Sequence, residues 1–159
     1  MEIDRFLADP SSVDFHWIRP SSPRELIADP FGWEEGGNLI ILAEQMVYGE
    51  SAGQIVRIRT QQPPVREVLL RQPWHLSYPF VIEDSGQRFI VPEQSQSGTL
   101  AFYPCSSSGL GDPAATIEAF DAVDSTFLRH DGRWWLFCTH ASNGPNSLLH
   151  LYWSDHLFG

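Results

Sequence analysis

The chain has 159 residues, enough for one domain with its own core and too few for two. Its apolar share of 42% suits a globular fold rather than a disordered one. A net charge of −10 excludes nucleic acid or an anionic membrane as the main partner, since both reward clustered cations.

The N-terminus, Met1-Glu2-Ile3-Asp4-Arg5, lacks the basic and apolar regions of a secretory signal. No run approaches the roughly 18 apolar residues of a membrane-spanning helix. A cytoplasmic protein without a membrane span is expected. Residues 1–28 form a lead-in rich in Pro and Ser, with a short strand expected around Phe15-His16-Trp17-Ile18. No helix is expected anywhere.

From residue 29 onward one pattern is written three times. It starts at Asp29-Pro30-Phe31, Tyr78-Pro79-Phe80 and Asp124-Ser125-Thr126, and the starts lie 49 and 46 residues apart. A glycine follows eight positions later (Gly37, Gly86, Gly132), then an apolar run, then a polar residue fifteen positions on (Glu44, Glu93, Thr139). Internal periods of about 40–50 residues mark propeller blades. The first run of each repeat reads as a short strand. The glycine turn supplies the positive φ of a hairpin, and the second run reads as a strand buried on both faces. Third runs lie at 54–59, 99–103 and 148–153, and fourth runs at 65–70 and 116–120. The tract Ser106 to Gly111 reads as a loop. Each repeat is expected to be a four-stranded antiparallel meander, with blades at about 29–73, 78–120 and 124–159. The fold class is all-β, a propeller of the five-bladed type with about three blades present.

Cys105 and Cys138 fall in strands of different repeats, lack metal-ligand spacing and read as buried free thiols. Nothing points to a metal or a cofactor. Phosphate-binding glycine loops, a nucleophile-elbow serine and zinc signatures are all missing.

In an antiparallel pair the start of one strand and the end of the next share one end of the ladder. Asp29 with Glu44, Tyr78 with Glu93, and Asp124 with Thr139 and His140 therefore gather on one face. The loop Trp74-His75-Leu76-Ser77 opens on the same face. Carboxylates and amides match sugar hydroxyls, and Trp and Tyr stack on sugar rings. Asp29, Glu93 and Asp124 are the candidate catalytic carboxylates. Glu44, Trp74, His75, Tyr78, Gln94 and His140 are the candidate substrate contacts. Structural alternatives stand beside these readings. The Asp side chains can cap backbone N–H groups, the Glu side chains can be solvated strand ends, and Trp134-Trp135 is mostly core.

The strings Ile27-Ala28-Asp29-Pro30-Phe31, His75-Leu76-Ser77-Tyr78-Pro79-Phe80-Val81, Ile90-Val91-Pro92-Glu93 and Asp131-Gly132-Arg133-Trp134-Trp135-Leu136-Phe137 resemble a known family. It is the N-terminal domain of glucosamine inositolphosphorylceramide transferases with its bacterial relatives, similar to the five-bladed glycoside hydrolases of the arabinanase and levansucrase groups. The resemblance runs from about Phe15 to Gly159. It implies a base or nucleophile at Asp29, and puts Tyr78 where the hydrolases carry a second acid. Asp124 takes the corresponding position in the third repeat, and Glu93 is paired with Asp29 as the acid.

Three readings of function stay open: a propeller that binds carbohydrate or a glycolipid headgroup in glycan synthesis, a glycosidase-like enzyme, and a protein-interaction propeller. Three blades do not close a five-blade ring. A fragment is expected, with self-association, a completing partner or a lead-in that covers one open face as alternatives.

Overall fold

The computed structural model describes residues 3–13, 17–60 and 64–159. A short helix, α1 (Ile3–Ala8), opens the chain, which corrects the expectation of no helix. The strand expected near residue 15 falls partly outside the described residues, and Trp17 and Ile18 are in no strand.

Three antiparallel sheets follow, in the order of the three repeats. The first runs β1 (Glu25–Glu35), β2 (Asn38–Val47), β3 (Gln54–Arg59) and β4 (Val65–Leu70), each paired with the next. The second contains β5 (Ser77–Asp84), β6 (Gln87–Glu93), β7 (Thr99–Ser106) and β8 (Gly109–Leu110), with β9 (Ala115–Glu118) also on β7. The third contains β10 (Ala122–His130), β11 (Arg133–His140) and β12 (His150–Ser154).

The turns form as their chemistry requires. Both central residues of each β1–β2, β5–β6 and β10–β11 hairpin take positive φ: Gly36 and Gly37, Ser85 and Gly86, Asp131 and Gly132. That is the two-residue turn whose twist matches paired strands. Two expectations need correction. Part of the Ser106 to Gly111 tract folds back on β7 as the two-residue strand β8, rather than as a free loop. The third repeat has three strands among the described residues, not four.

Aromatic rings join the sheets. Phe31 packs edge-on against Tyr78 at 4.8 Å and Phe80 at 5.3 Å, and Phe80 reaches Phe127 at 5.9 Å. Leu42, Ile55, Leu76 and Ile90 fill the junction of sheets one and two. Phe89, Phe102, Leu136 and Cys138 fill that of two and three. Cys105 and Cys138 are free and buried, as read from the sequence.

The two ends of the stack differ. On sheet one, Arg66 donates to the Arg19 carbonyl at 2.8 Å and to Ser21 at 3.0 Å, so the lead-in lies along the outer face. On sheet three, Leu151 is 53% and Trp153 56% exposed, and β11 alternates between buried and half-buried residues. Its second run was expected to be buried on both faces. It is buried on the sheet-two side only, because nothing among the described residues covers the other.

Arg57 ties sheet one to sheet two. Its side chain is buried, and it donates to Glu67 at 2.7 Å and to the Ser106 carbonyl at 3.0 Å. Arg57→Ala leaves that carbonyl and part of Glu67 without a donor, a loss of about 1–3 kcal/mol. A urea titration should show the midpoint fall, and an unchanged midpoint would remove the clamp.

Candidate functional site

The repeated pattern does more than open a strand. Asp29, Tyr78 and Asp124 lie inside β1, β5 and β10, with φ of 50°, 42° and 53°. The register slips at each of the three: Ala28 pairs Glu44 but Phe31 pairs Leu42, Ser77 pairs Glu93 but Phe80 pairs Val91, and Val123 pairs Thr139 but Thr126 pairs Phe137. Two residues on one strand thus oppose one on its partner, which is a β-bulge. Asp tolerates the left-handed region, whereas Tyr does so rarely. A strained backbone of this kind costs on the order of 1–3 kcal/mol and clusters at functional sites. The bulges aim Asp29 toward Glu44, Asp124 toward Glu93 and the Tyr78 phenol toward Thr126.

The result is a rim of four carboxyl groups. Asp29, next to the Ala28–Glu44 pair, interacts with the Glu44 carboxyl within sheet one. Glu93 from sheet two and Asp124 from sheet three interact in the same way across a sheet junction. Glu44 also feels Glu93, and Asp124 feels Asp29, so the two pairs form one electrostatic unit. Arginine does not neutralise it: Arg57 and Arg59 pair with Glu67, Arg66 with Glu25 and Arg71 with Glu50.

Burial raises the pKa of Glu44, with His75 opposing and Asp29 and Glu93 adding to the rise. Burial also raises that of Glu93; Ser95 at 3.0 Å and Ser77 at 3.2 Å donate to its carboxylate and oppose the rise, while Asp124 adds to it. Asp124 is raised by loss of water and by Asp29, and lowered by its hydrogen bond with Glu93. The directions define the roles within each pair. Burial favours the neutral form of Glu44 and of Glu93, each beside the Asp of its pair.

The other candidates divide. His75 joins the rim, with Nε2 3.4 Å from Glu44 Oε1. Tyr78 joins it through its phenol, which bonds Thr126 at 2.9 Å and so bridges sheets two and three. Trp74 packs on the Leu42, Ile55, Leu76 and Ile90 core instead of standing free as a stacking platform. Gln94 is 2% exposed, donates to Thr99 at 2.7 Å and accepts from Tyr103 at 3.2 Å, so its amide faces into the blade and not onto the rim. His140 faces sheet two, between Asp121 at 2.7 Å and Tyr152 at 2.9 Å. That contact, the largest cause, pulls the Asp121 pKa down to about 2. Neither Gln94 nor His140 is brought to the carboxylates. The sequence reading missed Ser77, Ser95, Thr126 and Gly53, all of which touch rim residues. A cleft of about 410 Å³ opens beside Asp124, lined by Thr126, Thr139, Asn146 and Leu149.

The raised carboxyl groups fix a pH dependence. Glu44, Glu93 and Asp124 bind protons more tightly folded than unfolded, so their contribution is full below the ordinary carboxylate range and is lost as pH rises through their raised values. Asp124 is exposed and screened, and counts least of the three. Asp121 and Glu67 act oppositely, and their contribution is lost as pH falls below that range. Tm should therefore fall as pH rises from the ordinary carboxylate range through the raised values of Glu44 and Glu93. Glu93→Gln should flatten that slope, and a wild-type Tm that rises through neutrality would contradict the assignment.

The glucosamine inositolphosphorylceramide transferase 1 N-terminal family matches residues 10–159. The chain belongs to this family. Family members from Oryza sativa subsp. japonica and Arabidopsis thaliana, both named glucosamine inositolphosphorylceramide transferase 1, are each 29% identical over 148 and 147 residues. Those alignments cover 86% of this chain but 20% and 19% of the plant proteins, so the chain spans about a fifth of their length. The resemblance to the bacterial relatives of the family carried the expectation of a bacterial setting, which these plant relatives overturn. An exo-β-1,3-galactanase from Phanerochaete chrysosporium, solved with β-1,3-galactotriose, superposes with a TM-score of 0.68 at 9% identity, over 87% of this chain and 35% of that one. The GH43 protein BlXynB from Bacillus licheniformis superposes with a TM-score of 0.57 at 15% identity, over 84% and 28%. At such identities the likeness is one of fold. This family member has the fold of part of a β-propeller.

Proposed function

We propose that this chain handles carbohydrate, and that a glycan or glycolipid headgroup lies across the rim of Asp29, Glu44, Glu93 and Asp124. The observation that carries the reading is the convergence of two carboxyl pairs, Asp29 with Glu44 and Glu93 with Asp124, beside the bulges at Asp29 and Asp124. Such groups present donors and acceptors together, which is what a sugar's hydroxyls need. The relatives' names and the galactanase fold support the same substrate class. Titration against a panel of neutral, acidic and amino-substituted glycans tests it. Saturable binding that is lost in Asp29→Ala is expected, and no binding across the panel would leave a protein-interaction role in its place.

One observation favours chemistry over binding alone. Burial and the neighbouring Asp124 raise the pKa of Glu93, as a general acid needs, and Asp29 stands on the same rim as the candidate base. In this reading Glu93 gives its proton to the glycosidic oxygen as the sugar C–O bond breaks. Asp29 takes the proton of the attacking water or acceptor hydroxyl. Atoms and charge balance without a cofactor.

A further inference from the structure

We infer that His75 and Glu44 form a positioning relay for Asp29, with His75 held in one tautomer by the backbone of Gly53. The inference rests on the rim's being the functional site.

His75 stands in the connection between sheets one and two. Its backbone N–H donates to Gln96 at 3.1 Å, and its ring Nδ1 accepts from the Gly53 amide at 2.9 Å. An imidazole nitrogen that accepts has no proton to give, so the neutral ring carries its proton on Nε2. Nε2 is the atom 3.4 Å from Glu44 Oε1. Glu44, itself 7% exposed, passes the orientation on through its contact with Asp29. A chain of contacts thus runs from the Gly53 amide to the ring, to Glu44 and to Asp29.

Gly53 is required where it stands. A Cβ there would lie 2.8 Å from the Leu76 carbonyl oxygen, 2.9 Å from His75 Cε1 and 3.0 Å from Glu44 Oε1. The first of these is backbone, and the Gly53 carbonyl in turn accepts from Leu76 N–H at 3.2 Å. Neither strand partner can withdraw without breaking that bond. The groups that face Glu44 are His75, Asp29 and Glu93, and those that bear on Asp29 are Glu44 and Asp124. Of these, His75 alone favours the charged form of Glu44.

Four measurements on the full chain judge the relay. Long-range ¹H–¹⁵N correlation should give His75 the Nε2–H pattern, and an Nδ1–H pattern overturns the inference. The ¹³C carboxyl titration of Glu44 should move upward in His75→Ala, since the group that favours its charged form is lost. An unmoved titration in a folded variant overturns it. His75→Gln can accept from Gly53 and donate to Glu44 with one amide, so it should restore the wild-type titration where His75→Ala does not. Failure of that rescue in a folded variant counts against the relay. Gly53→Ala should disturb the His75 ring signals; should it fail to fold, the His75 variants decide alone. None of these readouts needs a sugar. A wild-type chain that binds no glycan sinks the proposed function and leaves the relay to be judged by NMR.

Discussion

Glu93→Gln is expected to lower any glycosyl turnover by at least about 100-fold, the ordinary contribution of a positioned general acid. The amide is of similar size; its oxygen can still accept from one of Ser95 and Ser77, which now both donate to the carboxylate, and its NH2 can donate to the other hydroxyl. It cannot give up a proton to a leaving oxygen. Sugar affinity should therefore change little while turnover collapses, a split that marks an interaction made in the transition state. Equal loss of both would make Glu93 a binding residue. Unchanged turnover would remove it from the chemistry altogether. The wild-type profile should also fall as pH rises through the raised pKa of Glu93.

The second large effect is on stability. Phe102 is 1% exposed, with its ring 5.6 Å from Phe127 of sheet three and 5.3 Å from Phe158 near the C-terminus. Phe102→Ala opens a void that close-packed neighbours fill only in part, at a cost of about 3–5 kcal/mol. That is a large share of the roughly 5–15 kcal/mol that holds a typical domain together. The loss should reach function as well. The Glu93–Asp124 contact crosses the same junction, so loosening sheet three separates acid from carboxylate. A lower urea midpoint together with a downward-moved Glu93 titration is expected. A lower midpoint with Glu93 unmoved would show that the pair does not depend on this core.

The sheets were legible because their signals are local. Gly37, Gly86 and Gly132 mark two-residue turns, and the apolar runs behind them have nowhere to go but a core. The 54–59 and 65–70 strands fall on the residues that the pattern marked. The bulges were not legible. An extra residue in a ladder is defined by the partner strand, and Asp29-Pro30, Tyr78-Pro79 and Asp124-Ser125 read equally well as strand beginnings. The gathering of Asp29, Glu44, Glu93 and Asp124 was legible from hairpin geometry alone. Gln94 and His140 were misplaced because neighbouring residues point opposite ways. Each follows a rim position by one, and each turns inward, Gln94 to Thr99 and Tyr103, His140 to Asp121 and Tyr152. Gly53 had no signal at all, since its role depends on a side chain 22 residues away.

The central claim is that the three bulges build one carbohydrate site on the carboxylate rim. Carboxyl-detected NMR during titration with the best-binding glycan tests it most directly. Saturable shifts at Asp29, Glu44, Glu93 and Asp124 together are expected, with one shared affinity and with Asp121 and Glu67 unmoved. Shifts confined to the exposed face of Leu151 and Trp153, or a rim that stays silent while the glycan binds, would contradict it.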